Sequence, residues 1–265
     1  IKYCLEQDAK VILFSHLGRI KEEIDLEKNN LKPVAKVLGK LLDKKIIFID
    51  ETRGEKLEKA VKYATKDSFE KMAIVEEYIE GEEYSCECIS YKGNHHFLAF
   101  TKKYTTGSPN FIETGHMEPS DIKQEYQDEI KENIFKALTA LGIQNGASHT
   151  EFKINKNGEF GIIEIGARMG GDCIGSDLVQ ISTGYDFVKM VIDVACGKEP
   201  DFTKVTEPKK AVTKFIFTQE DLNKMNEFAE KNPNQIYRIS DMELENLGKT
   251  VDSSSRIGYY IYKPE

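Results

Sequence analysis

The sequence predicts an α/β protein in two unequal parts, a small parallel β-α-β segment at residues 1–62 and a larger α+β region at residues 63–265. Two apolar strand-like runs flank a helical pattern in the first part. In the second part, strand runs separated by Gly and Asn turn residues predict an antiparallel sheet with helices. The charge balance also changes, with 14 basic and 11 acidic residues before residue 63 against 23 and 34 after it.

The overall composition is typical of a soluble globular protein. Hydrophobic residues make up 40% and charged residues 31% of the 265 residues, which disfavours disorder. The net charge of −8 disfavours nonspecific nucleic-acid or anionic-membrane binding, because such binders are usually basic. No apolar run approaches the length of a membrane span. We therefore expect small-molecule partners, with a homo-oligomer left open.

Five scattered cysteines indicate reduced thiols and a cytoplasmic location. Cys86 and Cys88 are two residues apart in a strand-like run, so they share one face. No second pair or nearby His completes a zinc site, and buried thiols are therefore the favoured interpretation.

The first part is predicted to form one β-α-β unit. Residues 10–15 and 45–50 are short apolar runs, typical of strands buried on both faces. Between them a helix is predicted, with Pro33 suited to its first turn. Its apolar residues are Leu31, Val34, Ala35, Leu38, Leu41 and Leu42. A strand, a long helical connection and a second strand imply parallel pairing.

The loop after the first strand, residues 15–19, carries His16 and Arg19. Open α/β sheets bind ligands at the carboxyl ends of their strands, and an Arg beside a His can hold a phosphate or a carboxylate. An ordinary surface loop with an exposed Arg and a capping His explains the same residues. The chemistry of the two side chains alone favours this second interpretation.

Residues 1–62 resemble the N-terminal domain of phosphoglycerate kinase through IKYCLEQDAKVILFSHLGR and LKPVAKVLGKLLDKKIIFIDETRGEKLEKAV. The resemblance implies that His16 and Arg19 bind the acid substrate. Ile20 stands where the family usually has Pro, and the strand with the family's substrate-binding Asp and Asn would precede residue 1. The family's nucleotide-binding domain has no counterpart in the sequence. The resemblance therefore implies a fragment rather than a working kinase.

The second part begins with a predicted antiparallel meander. Strand-like runs at residues 73–79, 84–90 and 96–100 are separated by Gly81 and by turn residues at 92–94. A helix follows, with an apolar stripe of Ile130, Ile134, Ala137, Leu138 and Leu141.

A hairpin is predicted within residues 146–168, where Asn157-Gly158 is a strong signal for a two-residue turn. With that turn, Glu151 lies directly opposite Glu164 on one face, with Cβ atoms about 5 Å apart. Lys153 lies on the same face. The other face carries the predicted core residues Phe152, Ile154, Ile163 and Ile165.

Two opposed carboxylates repel unless a cation lies between them. Mg²⁺ fits this place because it takes carboxylate oxygens and leaves room for phosphates. A salt bridge from Lys153 or Arg168 explains the pair equally well. Arg168 follows the second carboxylate closely, a position suited to stabilising a transferring phosphoryl group.

Residues from about 56 to 262 resemble the C-terminal half of an ATP-grasp enzyme. The resemblance is carried by IVEEYIEGEEYSCE, FIETGHMEPS, GASHTEFK, IIEIGARMGGDCIGSDLVQISTGYD and SSSRIGYY. It implies an ATP-grasp-type antiparallel sheet, with ATP and Mg²⁺ as cofactors. It also implies that Glu151 and Glu164 are the metal ligands, with Gly166 where many members place an Asn ligand.

The same resemblance implies roles for further residues. Glu83 matches the ribose contact, Arg168 the stabiliser of phosphate and acyl phosphate, and Lys103 a phosphate-side base. Glu113 and His116 are implied to face the substrate, although they are also explained as ordinary polar loop residues. The strand end that reads adenine through its backbone is matched by Glu76, Glu77, Tyr78 and Ile79.

The sequence therefore predicts the MgATP-binding region of an ATP-grasp ligase, which activates a carboxylate as an acyl phosphate and passes it to an amine. The kinase-like segment stands in place of that family's first half, so this chain alone is not expected to be active. The alternatives are a phosphoglycerate kinase fragment that transfers a phosphoryl group between ATP and 3-phosphoglycerate, and a non-catalytic fusion. Residues 55–61 fit either family, so the junction between the two family-like parts lies near them. Gene fusion, recombination or a sequence assembly that joined two genes each explain this junction.

Overall fold

The computed structural model describes residues 32–42, 61–62, 65–66, 78–107, 111–249 and 253–264. The chain divides into two compact units, residues 1–77 and residues 78–265. The predicted strands at 10–15 and 45–50, the loop at 15–19 and most of the run at 73–79 lie outside the described residues. The domain boundary near residue 62 stays a prediction.

In the first unit, helix α1 spans Lys32–Leu42 and confirms the helix predicted there. Pro33 lies in its first turn, where the missing backbone N–H costs nothing. Lys40 lies in its last turn, where a cation complements the helix dipole. None of the helix residues is buried, and the predicted apolar positions Val34 and Leu41 are 46% and 70% exposed.

The second unit is built on one eight-stranded sheet with the order β5-β4-β1-β2-β3-β6-β8-β7, in which every neighbouring pair is antiparallel. This confirms the predicted antiparallel sheet with helices. The strands are β1 Glu82–Tyr91, β2 Asn94–Thr105, β3 Glu113–Glu118, β4 Gly146–Ile154, β5 Phe160–Gly166, β6 Ala211–Ile216, β7 Ile236–Ile239 and β8 Gly258–Tyr262.

The β1–β2 connection is the predicted hairpin turn. Tyr91 pairs with Asn94, and the two residues between them, Lys92 and Gly93, have φ angles of 50° and 78°. Two successive positive φ angles are the signature of the turn whose twist matches an antiparallel pair. Gly93 accepts this conformation without the steric penalty that a side chain would bring.

In the described part of the second unit, four α-helices accompany the sheet, with a π-helical turn at Ile174–Leu178 before the second of them. They are α2 Gln124–Ala140, α3 Val179–Thr183, α4 Phe187–Ala195 and α5 Gln219–Lys231. Helix α2 buries Ile130, Ile134 and Leu138, as its apolar stripe predicts. The prediction was wrong for Leu141, which lies just beyond the end of α2 and is 61% exposed.

The sheet has an apolar core on each of its two faces. On one face Cys86, Cys88, Phe100 and Phe152 pack with the buried side of α2. On the other face, α3 and α4 cover a second cluster that includes Ile89, Leu98, Phe187 and Met190. Cys86 and Cys88 are buried and unbridged, which confirms buried thiols at these two positions. Among the described residues, no helix is long and apolar enough to cross a membrane.

Candidate nucleotide and metal site

Glu151 of β4 and Glu164 of β5 are directly paired, as predicted. The predicted turn between them was wrong, however. Asn155 and Glu159 close a loop of three residues, because the Asn155 N–H donates to the Glu159 carbonyl at 3.0 Å and the Asn155 side-chain oxygen accepts from two backbone N–H groups.

The longer turn shifts the β4–β5 register by one residue, and a β-bulge shifts it back before Glu151 and Glu164. Phe152 pairs with Ile162, whereas Glu151 pairs with Glu164, so Ile163 is an extra residue on β5. The bulge turns Ile163 outward, where it is 37% exposed rather than part of the core. Phe152 is fully buried, and Ile165 packs against the core, as predicted.

One face of the sheet is polar across β1, β2 and β4, and we call it the polar face. It carries Glu83 and Glu87 of β1, Lys103 of β2, and His149 and Glu151 of β4. Strand geometry explains the separation, because alternate residues of β1 point to opposite faces. Tyr84 and Cys86 therefore enter the apolar core while their neighbours line the polar face.

Lys103 lies at the centre of the polar face, with only 4% of its side chain exposed. Its Nζ is 2.5 Å from Glu151 Oε1, 3.3 Å from Glu83 Oε1 and 3.6 Å from Glu113 Oε1. Burial favours the neutral amine, but the Glu151 carboxylate and its neighbours outweigh burial and raise the pKa of Lys103. Lys103 is therefore a permanent cation among three carboxylates.

His149 bridges two carboxylates on the same face. Its Nδ1 is hydrogen-bonded to Glu87, and its Nε2 lies 3.2 Å from Glu151 Oε1. Burial opposes protonation, but these two acids raise the pKa of His149 to about 9. In turn, although burial opposes ionisation, His149 and Lys103 lower the pKa of Glu151 to about 2. Glu151 is therefore neutralised by Lys103 and His149 rather than by Lys153 or Arg168, whereas Glu164 makes no ion pair with any residue that the structure describes.

Glu87 also fixes the chain that follows Arg168. Its second oxygen accepts the Gly170 backbone N–H at 2.9 Å. A Cβ at Gly170 would lie 2.6 Å from Glu87 Oε1 and 2.8 Å from His149 Nδ1, so only glycine fits here without displacement. Arg168 itself is exposed, and its Nη1 donates to the Met169 carbonyl at 2.8 Å.

Arg256, just before β8, extends the charged network beyond the polar face. Its guanidinium lies 2.9 Å from both Glu113 Oε2 and Asp172 Oδ2, and stacks 3.7 Å from the centroid of the Phe215 ring. Burial opposes ionisation of Asp172, but His116 and Arg256 lower its pKa to about 2. Burial lowers the pKa of His116, whose Nε2 is 3.6 Å from Asp172 Oδ2.

A cavity of about 350 Å³ opens beside Lys103. Its lining includes Tyr78, Glu83, Lys103, Phe111 and Lys153. Three of the predicted nucleotide-site residues, Tyr78, Glu83 and Lys103, thus share one cavity. Ile79 does not line the cavity, and its side chain packs next to Gly161 of β5. The predicted residues Glu76 and Glu77 lie outside the described residues, as do His16 and Arg19.

The carboxylates present can hold a magnesium ion only with help from a ligand. Within the described parts of the chain, both side-chain hydrogen bonds to Glu151 are made to Oε1, so Oε2 is the oxygen that can take a metal ion. Glu164 is exposed directly opposite. No set of three metal-ligating side chains gathers within the described parts of the chain. Because Mg²⁺ keeps waters and takes phosphate oxygens, two carboxylates suit a metal carried with a nucleotide.

Four residues of this network received no role from the sequence. They are Glu87, His149, Asp172 and Arg256. The polar alternation of β1 and β4 is a signal that could have identified Glu87 and His149. In β4 every second residue from His149 to Lys153 is charged, and in β1 Glu83, Ser85 and Glu87 share one face. Arg256 meets Glu113 only through the tertiary fold, more than 140 residues away in sequence.

Two known protein families match parts of this chain. Residues 49–177 match the ATP-grasp domain family, and the predicted resemblance is confirmed. Residues 1–77 match the phosphoglycerate kinase family, which confirms the second resemblance. The two matches overlap at residues 49–77, a range that includes the run at 55–61.

Solved structures show the same fold. An L-amino acid ligase from Bacillus licheniformis has a TM-score of 0.63 at 25% identity, covering 83% of this chain and 56% of that one. Phosphoribosylglycinamide synthetase from Anaerococcus prevotii has a TM-score of 0.60 at 23% identity, covering 93% and 63%. A biotin carboxylase–β,γ-ATP complex from Campylobacter jejuni has a TM-score of 0.56 at 18% identity, covering 83% and 50%.

The kinase-like segment has curated relatives as well. Phosphoglycerate kinases from strains of Staphylococcus aureus are 58% identical to this chain over 62 residues. That match spans 23% of this chain and 16% of those relatives. The chain therefore spans less than two thirds of the length of every protein named here.

Proposed function

We propose that residues 78–264 form the MgATP-binding region of an ATP-grasp ligase. The reaction we propose activates a carboxylate as an acyl phosphate and passes the acyl group to an amine. The observation that carries this proposal is the direct pairing of Glu151 with Glu164 near a cavity that contains Glu83 and Lys103. The likeness to an L-amino acid ligase supports the substrate classes.

In this proposal the nucleotide lies in the 350 Å³ cavity. Backbone groups of the segment from Glu76 to Ile79 bind the adenine. Glu83 accepts hydrogen bonds from the ribose hydroxyls, for which a carboxylate already held in place by Lys103 is well suited. Tyr78 and Phe111, whose ring centroids are 6.2 Å apart, offer apolar surface at the same end of the cavity.

Glu151 and Glu164 would hold Mg²⁺ together with phosphate oxygens. A bound Mg²⁺ supplies charge neutralisation at the phosphates. The protein's own contribution is to keep Glu151 ionised and oriented, because Lys103 and His149 hold its Oε1 and lower its pKa to about 2.

Arg168 would stabilise the transferring phosphoryl group and the acyl phosphate. Among the residues that the structure describes, only the Met169 carbonyl engages its guanidinium group, so the other N–H groups can bind anionic oxygens. The Glu87–Gly170 hydrogen bond anchors the backbone two residues beyond it. Glu113 and His116 lie on the substrate side in this proposal, where they form part of the Arg256 network.

We also propose a cytoplasmic protein whose ligands are a nucleotide and small acid and amine substrates, rather than nucleic acid. The kinase-like segment does not change this proposal, since its match spans 16% of its relatives. The binding of an acid substrate by His16 and Arg19 remains a proposal that rests only on the resemblance to phosphoglycerate kinase.

Calorimetric titration of the 265-residue chain with ADP, with and without Mg²⁺, tests the proposed function. We expect Mg²⁺ to strengthen ADP binding to the wild type and to have less effect on Glu164→Gln, because one of two ligands has lost its charge. Glu129→Gln is the matched control, since Glu129 is exposed on α2. Equal Mg²⁺ dependence in Glu164→Gln and wild type would contradict the metal assignment, and no binding by the wild type would contradict the proposed function.

A further inference from the structure

A second cavity, of about 570 Å³, opens beside Arg256. Among the residues that the structure describes, it shares no lining residue with the first cavity, so it offers room for a second ligand. Its wall includes the loop before the π-helical turn, the segment after β7 and the start of β8. We call it the acid-lined cavity, because Asp172, Asp241 and Glu243 line it.

Arg256 connects the acid-lined cavity to the proposed metal site. Its guanidinium lies 2.9 Å from Glu113 Oε2, and Glu113 Oε1 lies 3.6 Å from Lys103 Nζ. Lys103 in turn contacts Glu151. A ligand in the acid-lined cavity therefore lies on the side of the network where the proposed function places the substrates.

The described wall of this cavity carries more negative than positive charge. Arg256 is the one basic side chain among its described lining residues, and two carboxylates already bind its guanidinium. Asp241 and Glu243 form no ion pair with any residue that the structure describes. Residues 250–252, which precede the lining residue Ser253 in sequence, include no basic residue. The cavity therefore favours a ligand with positive charge.

The rest of the wall favours an organic cation over a metal ion. The rings of Phe215 and Tyr259 lie with their centroids 6.5 Å apart, and Ile239, which also lines the cavity, is 42% exposed. This apolar surface suits a hydrocarbon chain. Within the described parts of the chain, the acids do not converge closely enough to hold a metal ion.

The chemistry of acyl transfer indicates how many cationic groups the ligand carries. An amine attacks an acyl group as the free base, so the reacting amino group brings no positive charge to the cavity when it reacts. The carboxylates of Asp241 and Glu243 are not balanced by that group. They favour a second cation, elsewhere in the same molecule, that keeps its charge throughout.

We propose that the acid-lined cavity binds the amine substrate and selects an amine that carries a second cationic group, such as a diamine or a basic amino acid. This inference rests on the proposed function, which makes an amine a substrate. The reacting amino group lies toward Asp172 and Arg256, because these two residues belong to the network that leads to Glu151. Asp241 and Glu243 bind the second cation.

Calorimetric titrations with a series of five-carbon amines test this assignment. The probes are 1,5-diaminopentane, 1-aminopentane and 5-aminopentanoate, whose far ends are an ammonium, a methyl and a carboxylate group. We expect the 265-residue chain to bind the diamine about fivefold more tightly than the monoamine, since ion pairs with exposed carboxylates are individually weak. The aminopentanoate should bind least, because like charges repel.

A variant that carries both Asp241→Asn and Glu243→Gln should lose most of the preference for the diamine. Its binding of MgADP should be unchanged, because neither residue lines the nucleotide cavity. The matched control carries Glu129→Gln and Glu230→Gln, which remove two charges from exposed positions on α2 and α5. It should bind every probe as the wild type does. Circular dichroism confirms the fold of each variant.

The outcomes separate this inference from the proposed function. A wild type that binds MgADP without preferring the diamine would overturn the role of the acid-lined cavity and leave the nucleotide site intact. An unchanged preference in the Asp241→Asn, Glu243→Gln variant would also overturn it. An equal loss in the control variant would do the same, since net charge would then explain the effect. Absence of MgADP binding would overturn the proposed function, and this inference with it.

Discussion

Glu118, at the end of β3, is fully buried and provides a quantitative test of the energetics of this fold. It accepts hydrogen bonds from the Thr101 hydroxyl at 2.5 Å and from the Ser182 hydroxyl at 2.7 Å, and so joins β2 and α3. Burial, with a smaller contribution from the negative charge of Glu87, raises its pKa from 4.5 to about 8. The two hydroxyls and His149 offset burial only in part.

Because the pKa of Glu118 is raised in the folded state, its ionisation makes the protein less stable as the pH rises. A carboxyl that is harder to ionise in the folded state costs nothing below its unfolded pKa, and destabilises the fold as pH rises toward the folded pKa. At about 1.4 kcal/mol per pH unit, ionisation of Glu118 lowers the free energy of unfolding by up to about 5 kcal/mol above pH 8. Between pH 6 and pH 8.5 the loss is about 3 kcal/mol.

Glu118→Gln removes this titration while keeping the shape of the side chain and groups that can bond both hydroxyls. We expect the variant to gain about 3 kcal/mol relative to wild type when the pH is raised from 6 to 8.5. Urea denaturation at both pH values measures it. Far-UV circular dichroism is the suitable signal, because the chain contains no tryptophan.

Comparison of the two proteins at each pH cancels the titration of every other group that they share. Glu129→Gln, an exposed change on α2, is the control and should follow wild type at both pH values. A difference between Glu118→Gln and wild type that is the same at pH 6 and pH 8.5 would refute the reasoning. It would mean that Glu118 is not held neutral by burial.

Two further predictions concern other parts of the chain. Gly170→Ala should destabilise the protein by about 1–3 kcal/mol, the usual cost of overpacking. Gly171→Ala should not, since a Cβ at that position meets nothing within 4 Å. Urea denaturation measures the stability of both variants, and equal stabilities would contradict the close fit at Gly170. A coupled assay should detect no phosphoryl transfer between ATP and 3-phosphoglycerate, because the kinase match covers only 16% of its relatives and such transfer depends on positioning both substrates. Turnover that Arg19→Ala abolishes would contradict this.

Local signals in the sequence predicted most of the fold around the site. Helical spacing predicted α2, and turn residues predicted the β1–β2 hairpin; in the separate first unit, helical spacing also predicted α1. The position of Glu164 opposite Glu151 was predicted correctly with an incorrect turn, because the longer loop and the bulge at Ile163 offset each other. A bulge depends on how a strand packs, so a pairing rule that assumes regular strands cannot detect it.

The partners of the site residues were harder to predict than their positions. Lys103 was predicted as a phosphate-side base, but nothing in the sequence indicates that three carboxylates surround it. Those contacts join different strands, and their residues are separated by up to 48 positions in sequence. Contacts of this kind depend on the order of the strands in the sheet. Hairpin signals in the sequence predict only that two consecutive strands pair.

The charges of the network alternate in sign from one contact to the next, in the order Glu87, His149, Glu151, Lys103, Glu113, Arg256 and Asp172. Reversal of any interior charge would therefore place three like charges in a row in a buried setting, where such contacts are costly. Single substitutions that reverse a charge at these positions are therefore expected to destabilise the protein. When this region diverges among related chains, substitutions should appear as coupled exchanges between contacting partners, and a covariation signal should follow this order of contacts rather than the order of the sequence.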